Sequence, residues 1–292
     1  AEGAPEPPTP EAAAFGEAAP KEVGTELSSS GPVPPDETVP GEAAPEAPAP
    51  AESAGEEAEP EGAPPEEVVS ESRLQRRDEA VEPIVSGLAR KLKRALQDDQ
   101  NDLLDRLRSE GAARGPALLA DAGPQRDHFA KVSADFLRRA AVAGAAFVAA
   151  EGGGSGGRPD TGAAGTAGRA QAGELADSLG AELRRRLELA LFETADADEA
   201  GVAEMVGAAY REWKGQRIER LAGDHVVAAF TIGVLSASSS EPLAWIVDDE
   251  GGPCPDCDDN ALAGPQEPGA RYPTGQTHPP AHPGCRCLLA PA

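Results

Sequence analysis

VEPIVSGLARKLKRALQDDQNDLLDRL, residues 81–107, sets the fold class. Its apolar positions are Val81, Val85, Leu88, Leu92, Leu96, Leu103 and Leu107. The steps between them are three, four or seven residues, which places all seven on one stripe of an α-helix. Pro83 suits a first-turn position, where its missing N–H costs nothing, so the spacing predicts a helix that begins there. Gly111, Gly115 and Pro116 end it. The run RKLKR, Arg90 to Arg94, lies on this helix and reads as a solvated face, because Leu92 belongs to the core stripe and Asp98, Asp99 and Asp102 follow.

The same period recurs downstream. A second helix is expected over 125–150, with Phe129, Val132, Phe136, Leu137, Val142, Phe147 and Val148 and many alanines. The glycine-rich stretch at 151–173 has no periodicity and is expected as a loop. A third helix is expected over 173–194, with Leu175, Leu179, Leu183, Leu187 and Leu191 at steps of four. A fourth starts after the acidic cluster Asp196–Glu199, whose charge suits the positive end of a helix dipole, and continues through Val206, Tyr210 and Trp213. A fifth covers 217–235. The chain is therefore read as mainly α up to about residue 236.

Beyond it the character changes. LAWIV, Leu243 to Val247, is a short apolar run of strand type. From Asp248 onward only turns, prolines and cysteines are expected, a segment that needs a staple because it cannot build a core of its own. All 4 cysteines of the chain fall here: Cys254 and Cys257 in CPDC, then Cys285 and Cys287 in HPPAHPGCRC with His278 and His282. A C-x-x-C knuckle followed by a second Cys/His cluster is zinc-ligand spacing. The candidate ligands of a structural Zn²⁺ are Cys254, Cys257, His278, His282, Cys285 and Cys287, and the binding energy of such an ion is folding energy. Four thiolates form one set. A set in which His282 or His278 replaces one thiolate of the tight C-x-C is the other. Two disulfides, or a vestigial site that binds nothing, are the competing readings; no secretory signal argues for an oxidising compartment.

A catalytic zinc is disfavoured. PCPDC matches half of a nucleoside-deaminase site, but that chemistry needs an upstream H-x-E whose Glu moves protons. His128 and His225 are followed by Phe-Ala and Val-Val instead. There is no H-E-x-x-H either.

Charge divides the chain. The formal net charge is -25. Residues 1–71 hold 18 acidic residues against the single Lys21, a local net of -17, together with 15 of the 29 prolines. Such a segment has too little apolar surface to offset its conformational entropy, so residues 1–72 are expected as a long disordered acidic tail or linker. The remaining 221 residues are net -8, with 33 acidic and 25 basic residues. That balance, with 2 Trp, 2 Tyr and 6 Phe, argues against a dedicated nucleic-acid binder. No run of 18 apolar residues exists, and the acidic start lacks an apolar signal-peptide core, so neither a membrane span nor secretion by a signal peptide is expected. Ala1 opens the chain and Met205 is its only methionine, which fits removal of an initiator Met or excision from a longer polyprotein or fusion.

Read together, RIERLAGDHVVAAFTIGVL, Trp245, the Cys254/Cys257 pair and PAHPGCRC (Pro280 to Cys287) resemble the C-terminal domain of the phage Mu F-like family of minor head, or head morphogenesis, proteins. The match covers about residues 210–290 and is carried by its terminal P-x-H-P-x-C-R-C motif. The family's helix carries Arg-Thr-Glu after an Ala, where this chain has LAGDH with Asp224 as the nearest acid, which puts any role of that Thr or Glu in doubt. The organisation that follows is a tail at 1–72, a helical region at 73–209 and a Mu F-like domain at 210–292, with a small zinc-stapled α+β module. The resemblance implies a non-enzymatic component of a phage or prophage head, found in the virion or host cytoplasm, with portal and capsid proteins as partners, DNA as a contact within the head, and neither membrane nor small-molecule substrate. The rival readings are a zinc-stapled nucleic-acid-binding protein, resting on Arg90–Arg94, Arg184–Arg186 and Arg211–Arg220, and a metal-dependent hydrolase, which would need an open zinc position.

Overall fold

The computed structural model describes residues 66–152, 161–193, 197–238, 241–252 and 254–292. The expected tail lies outside them up to residue 65, as does 153–160 of the expected glycine-rich loop. Five long or medium helices form the body: α1 (Glu66–Glu110), α2 (Ala122–Ala150), α3 (Thr161–Glu193), α4 (Glu199–Glu212) and α5 (Ile218–Ala237). A 3-10 segment, Ala112–Leu118, joins α1 to α2, and a π-helical turn, Trp213–Arg217, joins α4 to α5. The chain closes with β1 (Leu243–Ile246), a 3-10 turn (Asp249–Gly251), α6 (Pro255–Leu262) and β2 (Leu288–Pro291). The protein is mainly α with a small α+β segment at the C-terminal end, and none of the described helices is long and apolar enough to cross a membrane.

The stripe read from α1 forms the core. Leu88, Leu92, Leu96, Leu103 and Leu107 are at most 1% exposed, as are all but the last of the five α3 leucines. Each such side chain stabilises the fold by about 1.5–3 kcal/mol relative to exposure. Asp198 caps α4, its Oδ1 accepting the Gly201 amide at 2.9 Å.

Three expectations are corrected. α1 starts at Glu66, not Pro83, and includes residues 66–72 of the expected tail. Pro83 sits on the exposed face of α1, where a carbonyl released by its missing N–H is reachable by water. The turns before Pro83 are held from outside: Arg73 donates to Glu151 at 2.7 Å, Arg76 also bonds Glu151, and Arg77 donates to Asp248 at 2.6 Å. Second, residues 161–173 are the first three turns of α3, not loop. Their glycines and alanines are a close-packing surface: a Cβ on Gly168 would stand 2.5 Å from the Leu137 carbonyl oxygen. The same device lets α2 and α5 cross in backbone contact, where a Cβ on Gly144 would lie 1.9 Å from the Phe230 oxygen and one on Gly233 1.9 Å from that of Ala141. Third, the segment after Asp248 contains α6 and β2, not turns alone. Pro255 opens α6 at its first turn, and β2 pairs antiparallel with β1 in the register Trp245↔Leu289.

The described residues belong to one compact unit. Residues 210–237 run out of α4 through the π-helical turn and pack as α5 against α1, α2 and α3, so the expected 210–292 segment shares its core with the helices before it.

Candidate metal centre

Five of the six expected ligands converge. Cys254, at the start of α6, Cys257, on its first turn, and His282 bring their ligand atoms within 4.8 Å of one another. Cys257, Cys285 and Cys287 do the same, so Cys257 belongs to both groups. Cys257 is 1% exposed and Cys285 and Cys287 3% each, while Cys254 and His282 are half-buried. The sixth, His278, stands apart: its Nδ1–H donates to the Pro279 carbonyl at 2.7 Å, and it joins neither group. All four cysteines are free thiols in this arrangement.

The distances suit a tetrahedral ion. Cys257 Sγ lies 3.8 Å from Cys285 Sγ and 3.6 Å from His282 Nε2. Zn–S bonds of about 2.3 Å and Zn–N bonds of about 2.0–2.1 Å at tetrahedral angles require edges of about 3.8 and 3.5 Å. His282 Nδ1 is 3.2 Å from the Pro283 carbonyl oxygen, so it carries the proton, and Nε2 faces the thiols with a lone pair. The five residues line a cavity of about 30 Å³, room for one ion. With five donors around it, four suffice for a closed shell. Cys257 joins Cys254 and His282 on one side and Cys285 and Cys287 on the other, and a closed shell would draw on both groups.

The thiols already interact electrostatically. Hydrogen bonding from Cys287, with the backbone amides around it, holds Cys285 down to about 5. Burial, then the charge of Cys285, pushes Cys257 up to about 12. The hydrogen bond to Cys285 and burial raise Cys287 as well. Cys285 is therefore the first thiolate of the group, and a bound cation would draw the other protons off.

Several side chains that hold this centre were not read as such from the sequence. Arg77 on α1 is 1% exposed and forks between Asp78 (2.8 Å) and Asp248 (2.6 Å). Arg286, between two of the cysteines, pairs with the same Asp78 at 2.8 Å and with Asp248 at 3.5 Å. Burial pushes the Asp248 carboxyl up, but the Arg77 hydrogen bond, the Glu250 amide and the two guanidinium charges prevail and hold it below its ordinary range. Arg286 lines the ion-sized cavity and offsets the negative charge of a thiolate-rich shell. Asp224 on α5, noted in the sequence only as the nearest acid, accepts the Gly284 amide at 2.8 Å, and burial lifts its pKa despite that bond. Trp245 packs edge-on against Tyr272 at 5.0 Å, and the Tyr272 hydroxyl donates to the Leu243 carbonyl at 2.8 Å. Asn260 on α6 accepts from the Thr274 amide (3.2 Å) and hydroxyl (3.0 Å), tying α6 to the chain that leads to the ligands.

No protein-family model, curated protein or solved structure matches the chain.

Proposed function

We propose that the protein is a minor head, or head morphogenesis, protein of a phage or prophage, a structural component that sits at the portal vertex and acts in capsid assembly or DNA packaging, with Zn²⁺ as the staple of its C-terminal segment. The observation that carries this reading is the cluster itself. The terminal motif that prompts the resemblance, Pro280 to Cys287, supplies His282, Cys285 and Cys287 to one small buried cavity together with the C-x-x-C pair.

The donor set favours a structural over a catalytic role. Its members are thiols and one imidazole, enough to complete four-coordination. Bound there, the ion would supply a cross-link between α6 and the turn before β2. The chain's own residues do the rest: Asp224 seats the Gly284 amide on α5, and Arg77 and Asp248 clamp Arg286 to α1. The Pro-rich end thus becomes a rigid surface element, as a docking partner of portal and capsid proteins requires.

The test is co-expression with the portal and major capsid proteins of the same genome, followed by gradient sedimentation. The protein is expected in assembled heads at low copy number, with about one zinc per chain by elemental analysis. Its absence from heads that assemble normally refutes the head-protein reading. Metal-free chains with full incorporation refute the staple alone.

A further inference from the structure

Between α1, α5 and the turn that carries Gly284 and Arg286 lies a half-open cleft of about 570 Å³. Pockets of about 300–1,000 Å³ are the size that takes organic ligands. Helix α1 lines the cleft from Arg77 to Ser86, about 13–14 Å along its axis. An extended chain covers that length in about four residues. Part of the lining is apolar: Val81 and Val227 are buried and Val85 is half-buried.

Two features set this cleft apart. The first is a pair of unmade donors. Arg77 is 1% exposed; its Nε and Nη2 donate to Asp78 and Asp248, while Nη1 has no hydrogen-bond partner. Arg286 gives Nη2 to Asp78, but its buried Nε, 3.5 Å from Asp248, makes no hydrogen bond. Among the described residues these are the only buried nitrogens of charged side chains left without one, and both arginines line the cleft. A buried donor left unmade carries a desolvation penalty that a bound acceptor would relieve. The second feature is Gly223 on α5. No packing contact asks for glycine there: a Cβ would meet nothing within 4 Å, whereas at Gly144 and Gly233 it would strike backbone. The room at Gly223 is part of the cleft, and a glycine lets another backbone approach closely.

We infer that the cleft binds an extended peptide segment of a partner protein, with a carboxylate of that segment on Arg77 and Arg286. Two unmade N–H donors match the two oxygens of one carboxylate. A phosphate dianion fits less well, because Asp78, Glu82, Glu219 and Asp224 stand on the same walls. Asp78 is engaged by both arginines and Glu219 by Lys93. Glu82 is exposed, and Asp224 commits Oδ1 to the Gly284 amide, so both have oxygens to accept from the N–H groups of a peptide. The valines receive its apolar side chains, and Gly223 admits its backbone. The inference does not rest on the head-protein reading.

A C-terminal carboxylate and an acidic side chain offer the same chemistry, and the test separates them. It is ¹H–¹⁵N NMR of the full chain, titrated to about 10 mM with three pools of N-acetylated tetrapeptides of Ala, Val, Leu and Ser. The first pool has a free C-terminal carboxylate, the second is C-amidated, and the third is C-amidated with one Glu per peptide. The Gly223 and Gly284 amides and the Nε–H signals of Arg77 and Arg286 should move with the first pool if a chain end is captured, and with the third if a side chain is. The uncharged pool should bind about 10- to 100-fold more weakly, as loss of a charged hydrogen bond requires. Gly223→Leu should fill the cleft and abolish the remaining shifts, while Gly180→Leu, equally open but outside the cleft, should keep them. Arg286→Gln should remove the preference for a carboxylate, and circular dichroism should show all three variants folded. The inference fails if neither charged pool moves these signals or if the uncharged pool binds as tightly. It fails equally if folded Gly223→Leu binds like the wild type, or if Gly180→Leu loses binding too.

Discussion

Cys257 is the one donor common to both halves of the cluster, so its replacement should abolish metal-linked stability whichever four residues complete the shell. With free zinc held about 1,000-fold above its dissociation constant, binding to the native state alone contributes about 4 kcal/mol. For a folded unit the size of residues 66–292, each kcal/mol moves the midpoint by about 2–4 °C, so zinc should raise Tm by about 8–16 °C over the chelated protein. The assay is thermal unfolding followed at 222 nm, with zinc and with chelator. Cys257→Ser should lose the whole shift. His278→Ala should keep it, because His278 points to its own Pro279 carbonyl and away from the cluster. A wild-type shift below about 2 °C, a Cys257→Ser variant that retains it, or a His278→Ala variant that loses it would each refute the geometry.

Other residues give equally direct readings. Gly144→Ala forces a Cβ to 1.9 Å from the Phe230 oxygen, so α2 and α5 must part, costing at least about 1–3 kcal/mol in urea unfolding; an unchanged midpoint would mean the helices do not touch there. Asp248→Asn strips one of two charge partners from the buried Arg77, which keeps Asp78, and should cost about 1.5–3 kcal/mol at neutral pH. Because the Asp248 pKa is depressed, that contribution is present above the ordinary carboxylate range and lost as pH falls through the folded value, so the gap between wild type and Asp248→Asn should close in acid. His225 accepts from Gln171 at 2.8 Å, and burial lowers it to about 4. Its folded state binds fewer protons than the unfolded chain between about pH 6.5 and 4, so stability should fall by about 3 kcal/mol as pH drops through that window. His225→Gln should flatten that slope, and a slope that persists would place the titration elsewhere.

Helices α1 and α3 were legible because each writes its buried stripe in leucine at helical spacing, Leu88 to Leu107 and Leu175 to Leu191. Two errors came from residues whose meaning depends on a partner. Pro83 reads as a helix start unless the preceding turns are known to be tied to Glu151 and Asp248. Gly168 reads as loop unless the Leu137–Arg138 backbone is known to approach within the space of a missing Cβ. The cysteines were legible because spacing alone marks a knuckle. Their supports were not: Arg77 and Asp248 are 171 residues apart, and neither sits in a pattern.

The C-terminal segment is attached in two unlike ways, and the difference limits what an ion can hold. Trp245, Ile246, Leu288, Leu289 and Ala290 are buried in the same apolar core as Phe230 and Leu88, so β1 and β2 need no metal to stay in place. Between them, residues 252–287 contribute few apolar side chains, chiefly Tyr272, and are fixed by Asn260, Asp224, the Arg77–Asp248–Arg286 clamp and the cluster. Loss of an ion held there would loosen this excursion while its two ends stay anchored. The entropy released is that of a loop whose ends are already fixed, which grows only slowly with length. An ion held there would sharpen a surface more than it would secure a fold.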